Sequence, residues 1–140
     1  MSKNGSKSED FHKCCDNKGA TLTIIETKSK HIFGGFTPLN WVLNTYLGHD
    51  YKKETFLFSM NLMKKYDMFN MDKSAIYCDK DYGPSFGEQP DIYFRKDLST
   101  GRISAGNEAN FLWNLELTDG IGSKETFVTK EIEIFKVIFE

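Results

Sequence analysis

The residues with the most obvious chemical reach lie in Gly83-Pro84-Ser85-Phe86-Gly87, a literal match to the Gly-x-Ser-x-Gly elbow on which serine hydrolases carry their nucleophile. That chemistry needs a strand before the serine and a helix after it, so that the hydroxyl stands on a tight turn above a sheet. Here Glu88-Gln89-Pro90 leads instead into a strand-like run. His12, His31 and His49 all precede Ser85, whereas the hydrolase order places the base after the nucleophile. The preferred reading is a glycine-rich turn between strands, with Gly83 and Gly87 at its ends and Phe86 tucked inward. Just upstream, Asp79-Lys80-Asp81-Tyr82-Gly83 spaces oxygen ligands at alternate positions, as a calcium loop begins. Its glycine comes one place early and Pro90 stands where a bidentate Glu is needed, which excludes an EF-hand and leaves a looser cation site or, preferred, a solvated acidic turn.

A second group, His12, Cys14, Cys15 and Asp16, offers metal-capable atoms within about one helical turn. No second cluster stands at the spacing of a structural zinc site, so no metal is expected. His12 or Lys13 beside an exposed thiol would lower its pKa, which makes Cys14 and Cys15 redox candidates. The ordinary use of such residues is as small buried hydrophobes. Gly34-Gly35 lacks the rest of any phosphate-loop pattern and reads as tight packing. No cofactor is expected.

The chain that must position these groups has 140 residues, which suits one domain burying roughly two thirds of its unfolded surface. Twelve Phe at a mean hydropathy of −0.47 require the apolar residues to be concentrated inside. A net charge of −2, with basic and acidic residues interspersed, gives no broad positive field for nucleic acid or an anionic membrane. Arg95 and Arg102 are the only arginines, which further disfavours nucleic-acid recognition. No apolar run reaches the length of a membrane span, and Met1 to Lys7 is too polar for a signal peptide, so a cytoplasmic location is expected. Three cysteines, two of them adjacent, fit reduced thiols in that compartment.

Residues 1–10 have the composition of a flexible polar tail, and 11–140 that of a single domain. Ser8 or Asp10 can cap a short helix that carries Phe11, Cys14 and Cys15 inward and ends at Asp16-Asn17-Lys18-Gly19. Thr21 to Ile25 and His31 to Phe36 form a hairpin, with Gly34 and Gly35 marking a bulge or a close approach. Trp41, Val42 and Tyr46 suit one side of a short helix or ordered loop. In Glu54 to Leu62, Phe56, Phe58, Met60 and Leu62 repeat at every second position, which predicts a central strand with those four facing the core. Lys64 to Lys73 reads as a long connection. Ser74 to Cys78, Asp91 to Arg95 and Phe111 to Leu117 read as strands, and Asp119 to Ser123 as a loop. In Lys130 to Glu140 the apolar phase switches near Ile134 and Phe135, which a bulge or burial on both faces would reconcile. About seven short strands without a βαβ rhythm predict a mainly β fold, a β-sandwich of two antiparallel sheets with a few short flanking helices.

The order of these segments resembles the TLDc domain. The resemblance is carried by Phe11-His12 with Cys15-Asp16-Asn17-Lys18-Gly19 and Thr21-Leu22, then Ile32-Phe33-Gly34-Gly35-Phe36, Trp41 and Glu54-Thr55-Phe56-Leu57-Phe58-Ser59. Gly83 to Gly87 with Asp91-Ile92, and Glu131-Ile132-Glu133-Ile134-Phe135, complete it. It runs from about Phe11 to the C-terminus. The family includes the oxidation resistance proteins, and the resemblance implies an intracellular, non-enzymatic protein-interaction domain linked to oxidative-stress protection and to the peripheral sector of the V-ATPase. It carries over no catalytic residue. Glu54, Gly34 and Gly35 match positions typical of the family, which implies a structural or partner-facing role. Two departures stand out. Lys53 precedes Glu54 where the oxidation resistance branch tends to have glycine, and only Met1 to Gly5 occupy the place of the family's first strand. A sheet lacking that strand would offer an open edge for self-association or a partner strand.

Two other readings follow from the residues. One is a hydrolase or thiol-dependent antioxidant using Ser85 or Cys14/Cys15. The other is a sandwich-type small-ligand or glycan-binding module, which calls for an exposed aromatic such as Trp41 or Trp113.

Overall fold

The alternating run after the first turn signal forms β1 (Thr21–Thr27), whose β-branched residues suit a pleated backbone and whose side chains alternate between buried and half-buried along its length. The structure, a computed structural model, describes residues 3–43, 45–68, 73–88, 90–104, 111 and 124–139, with backbone alone at 124 and 125. Around β1 it places α1 (Ser8–Cys15), β2 (Ile32–Thr37), β3 (Tyr46–Gly48), β4 (Phe56–Ser59), β5 (Lys64–Asp67), β6 (Ile76–Cys78), β7 (Ile92–Phe94), β8 (Thr100–Ser104) and β9 (Lys124–Lys136). All pairings between these strands are antiparallel. Seven strands form one sheet in the order β5-β4-β2-β1-β9-β8-β7, and β3 and β6 form a separate two-stranded sheet. The fold is therefore mainly β, as expected, with one short helix among the described residues. Its large sheet is curled, and two facing sheets of a sandwich are not clearly shown among the described strands.

The curl comes from β9. Its first half pairs with β8, and its second half with β1. Between them Glu26 lies opposite Glu131 and Thr27 opposite Thr129, so Lys130 is the extra residue of a bulge that sharpens the local twist. Phe127 and Thr129 point inward before it, Ile132 after it. The bulge lies four residues before the one expected near Ile134 and Phe135, where the strand pairs without interruption, Ile134 half-buried in phase with Ile132 and Phe135 exposed on the other face. The strand expected over Phe111 to Leu117 and the loop over Asp119 to Ser123 lie outside the described residues apart from Phe111, which is fully buried.

The central strand faces the opposite way from its hydrophobic period. Leu57 is fully buried and Thr55 and Ser59 with it, while Phe56 and Phe58 are half-buried on the outer face and Met60 and Leu62 are exposed. The reason lies in what fills the core. Trp41, Phe86, Phe111 and Phe11 come from loops and the helix, and Trp41 stacks edge-on against Phe11 at 5.3 Å and Phe86 at 5.6 Å. Rings delivered from outside the sheet take up much of the space beneath it, so small residues share the inward positions with Ile25, Phe33 and Leu57. The inward positions of β1, β2 and β4 accordingly include Thr21, Thr23, Gly35, Thr37 and Ser59. Some of the buried hydroxyls are paired: Trp41 Nε1 donates to Thr21 Oγ1 at 2.9 Å, and Thr37 and Thr55 share a hydrogen bond of 3.1 Å, whereas Thr23 Oγ1 and Thr129 Oγ1 have no partner among the described residues. On the outer face, Phe135, Leu22, Phe36 and Phe56 form a row across four strands.

Three short strands differ from expectation. β5 forms where the sequence predicts a long connection, β3 where it predicts a short helix or loop around Tyr46, and β8 where it predicts no element. Ahead of Phe11, Ser6, Lys7, Ser8 and Asp10 make hydrogen bonds within and beyond the helix start. Ser6 O accepts from Leu98 N, Ser8 N donates to Lys96 O at 2.9 Å, and the helix begins at Ser8 with Asp10 Oδ2 accepting from Lys7 N at 3.0 Å.

Candidate functional site

The serine of the elbow-like motif has no access to a substrate. Ser85 is fully buried, its hydroxyl donates to Gly83 O at 3.1 Å, and its carbonyl accepts from Tyr77 N. No helix follows it among the described residues; the turn leads to β7. The flanking glycines are placed by packing. At Gly87, φ is +104° and a Cβ would lie 2.7 Å from Asp91 Oδ1; at Gly83 it would press on Leu98 and Phe94. Phe86 is tucked inward as the motif's turn reading requires.

The two candidate thiols sit on the last turn of α1, beside a cavity of about 460 Å³ between the helix and β9. Cys14 is exposed and Cys15 half-buried. Burial, followed by the neighbouring Cys14 and Asp16, pushes the Cys15 thiol up to about 11. His12 does not lower it, because its ring is committed elsewhere. Nδ1 lies 2.9 Å from Asp16 Oδ1, and Nε2 donates to the carbonyls of Asp79 at 2.7 Å and Tyr82 at 2.9 Å. A thiol with a pKa of about 11 is ionised to roughly one part in ten thousand at neutral pH, which makes it a poor nucleophile toward peroxide. In a Cys14→Ser variant, labelling of Cys15 by iodoacetamide should therefore keep rising about tenfold per pH unit from pH 8 to 10. A plateau below pH 9, followed by mass spectrometry of the Cys15 peptide, would contradict this placement. Among the described residues no three His, Cys, Asp or Glu side chains group so as to hold a metal ion.

Glu54 is exposed, and only its backbone is engaged, its N–H donating to Asp50 Oδ2 at 2.9 Å. The buried acid of this region is Asp50, which the sequence reading passed over. Its Oδ2 also accepts from Thr55 N and Thr55 Oγ1, both at 2.7 Å, and its Oδ1 accepts from Lys52 N at 3.2 Å. Gly34 and Gly35 lie in β2 between β1 and β4. A Cβ on Gly34 would run into the Thr23 carbonyl oxygen, and one on Gly35 would lie 2.6 Å from the Phe86 ring. Trp41 is fully buried and offers no exposed platform for a sugar, and Trp113 is outside the described residues.

What the fold does bring together is a face of tyrosines and arginines. Ring centroids run from Tyr46 to Tyr77 at 6.3 Å, to Tyr82 at 4.9 Å, and on to Tyr93 at 6.1 Å. The Arg95 guanidinium lies 5.0 Å from the Tyr82 ring centre and donates to its hydroxyl at 3.1 Å. Four separate segments supply these residues: β3, β6, the turn at 79–82 and the β7–β8 hairpin. Ser74 Oγ bridges β3 and β6 through Gly48, and His12 holds the turn from below through the Asp79 and Tyr82 carbonyls. On β7 and β8 the inward Ile92, Phe94 and Ile103 alternate with the outward Tyr93 and Arg102, which stand opposite each other. Burial chiefly, with Asp79, Tyr82 and Tyr46, pushes the Tyr77 hydroxyl upward, against an opposing pull from Arg95. Such a face holds no nucleophile with a base. It has the composition that dominates protein interfaces, where Tyr and Arg supply large rigid contact area and directed donors.

In comparison with known families, the model of the TLDc domain matches residues 1–138. No match to a curated protein was found. No helix among the described residues is long and apolar enough to cross a membrane.

Proposed function

The chain belongs to the TLDc domain family, and we propose that it is an intracellular, non-enzymatic protein-interaction domain of the oxidative-stress-related kind, with the peripheral sector of the V-ATPase as its partner. The observation that carries the reading is the Tyr46-Tyr77-Tyr82-Tyr93 face with Arg95, a partner-type surface assembled from two sheets and the turn between them. The catalytic alternatives lack comparable support, since Ser85 is buried against a backbone carbonyl and Cys15 is held as a neutral thiol. A lectin-like role loses its Trp41 platform.

The test is binding of the whole chain to purified V-ATPase peripheral sector, measured by interferometry. Saturable binding is expected, weakened about tenfold or more when Tyr46→Ala and Tyr77→Ala are combined. Absence of binding would remove the pump as partner, and binding insensitive to the two substitutions would move the contact away from this face. Peroxide consumption by the wild-type chain that disappears in Cys15→Ser would overturn the non-enzymatic reading.

A further inference from the structure

At one end of the tyrosine face is a recess of about 270 Å³ lined by Tyr82, Pro90, Tyr93, Arg95, Arg102 and Ser104. It gathers both arginines of the chain. Among the described residues neither has a carboxylate partner; the only polar contact recorded for the Arg95 guanidinium is the Tyr82 hydroxyl at 3.1 Å. That contact, with the ring 5.0 Å away, fixes Arg95 before any ligand arrives. Arg102 reaches the recess from the opposite strand, across from Tyr93, and Ser104 lies two residues further along the same face of β8.

Resting on the protein-interaction reading, we propose that this recess binds a phosphate monoester carried on a side chain of the partner. Two guanidinium groups match the charge of about −1.5 to −2 on such a phosphate, whereas a single carboxylate would leave one of them uncompensated. Planar guanidinium forks suit bidentate contacts to phosphate oxygens, and the Ser104 hydroxyl is placed to add a donor. Tyr82 and Tyr93 provide aromatic walls for the group that bears the phosphate.

The probe is phenyl phosphate, titrated into the full ¹⁵N-labelled chain and followed by NMR. Saturable shifts are expected at Tyr82, Tyr93, Arg95, Arg102 and Ser104, with affinity at least about tenfold lower in Arg95→Gln and in Arg102→Gln. Both side chains are exposed, so the spectra of the variants should otherwise superpose on the wild type. No saturable shift, or shifts unchanged in the variants, overturns the site. Benzoate binding as tightly as phenyl phosphate overturns the choice of phosphate, and inorganic phosphate binding as tightly overturns the role of the tyrosine walls and of a side-chain-borne ligand. Retained V-ATPase binding without any phenyl phosphate binding rejects the recess alone. Phenyl phosphate binding without V-ATPase binding supports the recess and rejects the pump as the partner.

Discussion

Gly34→Ala is expected to destabilise the fold by about 3 kcal/mol, enough to remove much of the stability of a domain this size. Gly34 pairs with Ile24 on one side and Phe58 on the other, in the middle of the sheet. An added Cβ would strike the carbonyl oxygen of Thr23 and lie 3.0 Å from the Phe58 ring. A side-chain end can swing away, but a carbonyl in a paired strand moves only if β1 and β2 separate. Gly35→Ala meets the Phe86 ring at 2.6 Å and Leu57 Cδ2 at 2.9 Å, buried side chains that can yield a little, and should cost less. Gly19→Ala meets nothing within 4 Å and bears only the strain of a φ of +79°, about 1 kcal/mol. Urea unfolding of the three variants should rank them in that order. Gly34→Ala within 1 kcal/mol of the wild type would mean that β1 and β2 are not held this closely.

The local elements were legible because local rules decide them. The helix ending before Asn17 and Gly19, the alternation of Thr21 to Ile25 and the paired glycines of β2 each announce their conformation through a few adjacent residues. The facing of β4 was not legible. Phe56 and Phe58 against Leu57 gave the right strand and the wrong side, because a sheet apolar on both faces lets the period choose neither. Trp41 and Phe86, which arrive from loops, fill much of the core, and Leu57 with the small Thr55 and Ser59 fits beneath them where Phe56 and Phe58 would add two more rings. The same limit hid the bulge at Lys130, which depends on β1 and β8 both claiming one long strand.

The candidate site was hidden for a related reason. Tyr46, Tyr77, Tyr82, Tyr93 and Arg95 come from four segments, and two of the strands involved, β3 and β8, are short and carry Gly48 and Gly101, which weaken any strand signal. Alternation in Asp91 to Arg95 does put Tyr93 and Arg95 on one face, but nothing local places Arg102 opposite Tyr93. The motif that looked most chemical, Gly83 to Gly87, serves this face from beneath: Ser85 O fixes Tyr77 N, and Phe86 bridges β6 to β7.

Asp50→Ala should be the second severe substitution, at about 3 kcal/mol, because hydrogen bonds to a charged group are worth about 1.5–3 kcal/mol and two of the donors left behind, Thr55 N and Thr55 Oγ1, are buried. The Asp50 side chain is 4% exposed and ties down Lys52 N, Glu54 N, Thr55 N and Thr55 Oγ1, fixing the path from β3 into β4. Asp50→Asn keeps one acceptor oxygen for the contacts around Thr55 but turns an amide donor toward the Lys52 N–H, so it should retain part of the stability. Glu54→Ala, at the neighbouring exposed acid, should stay within about 0.5 kcal/mol of the wild type. A double-mutant cycle of Asp50→Ala with Thr55→Val should show coupling of about 1 kcal/mol or more, since the two side chains share a bond of 2.7 Å and Thr55 passes it on to Thr37 at 3.1 Å. Equal effects of Asp50→Ala and Glu54→Ala would refute the buried-acid assignment.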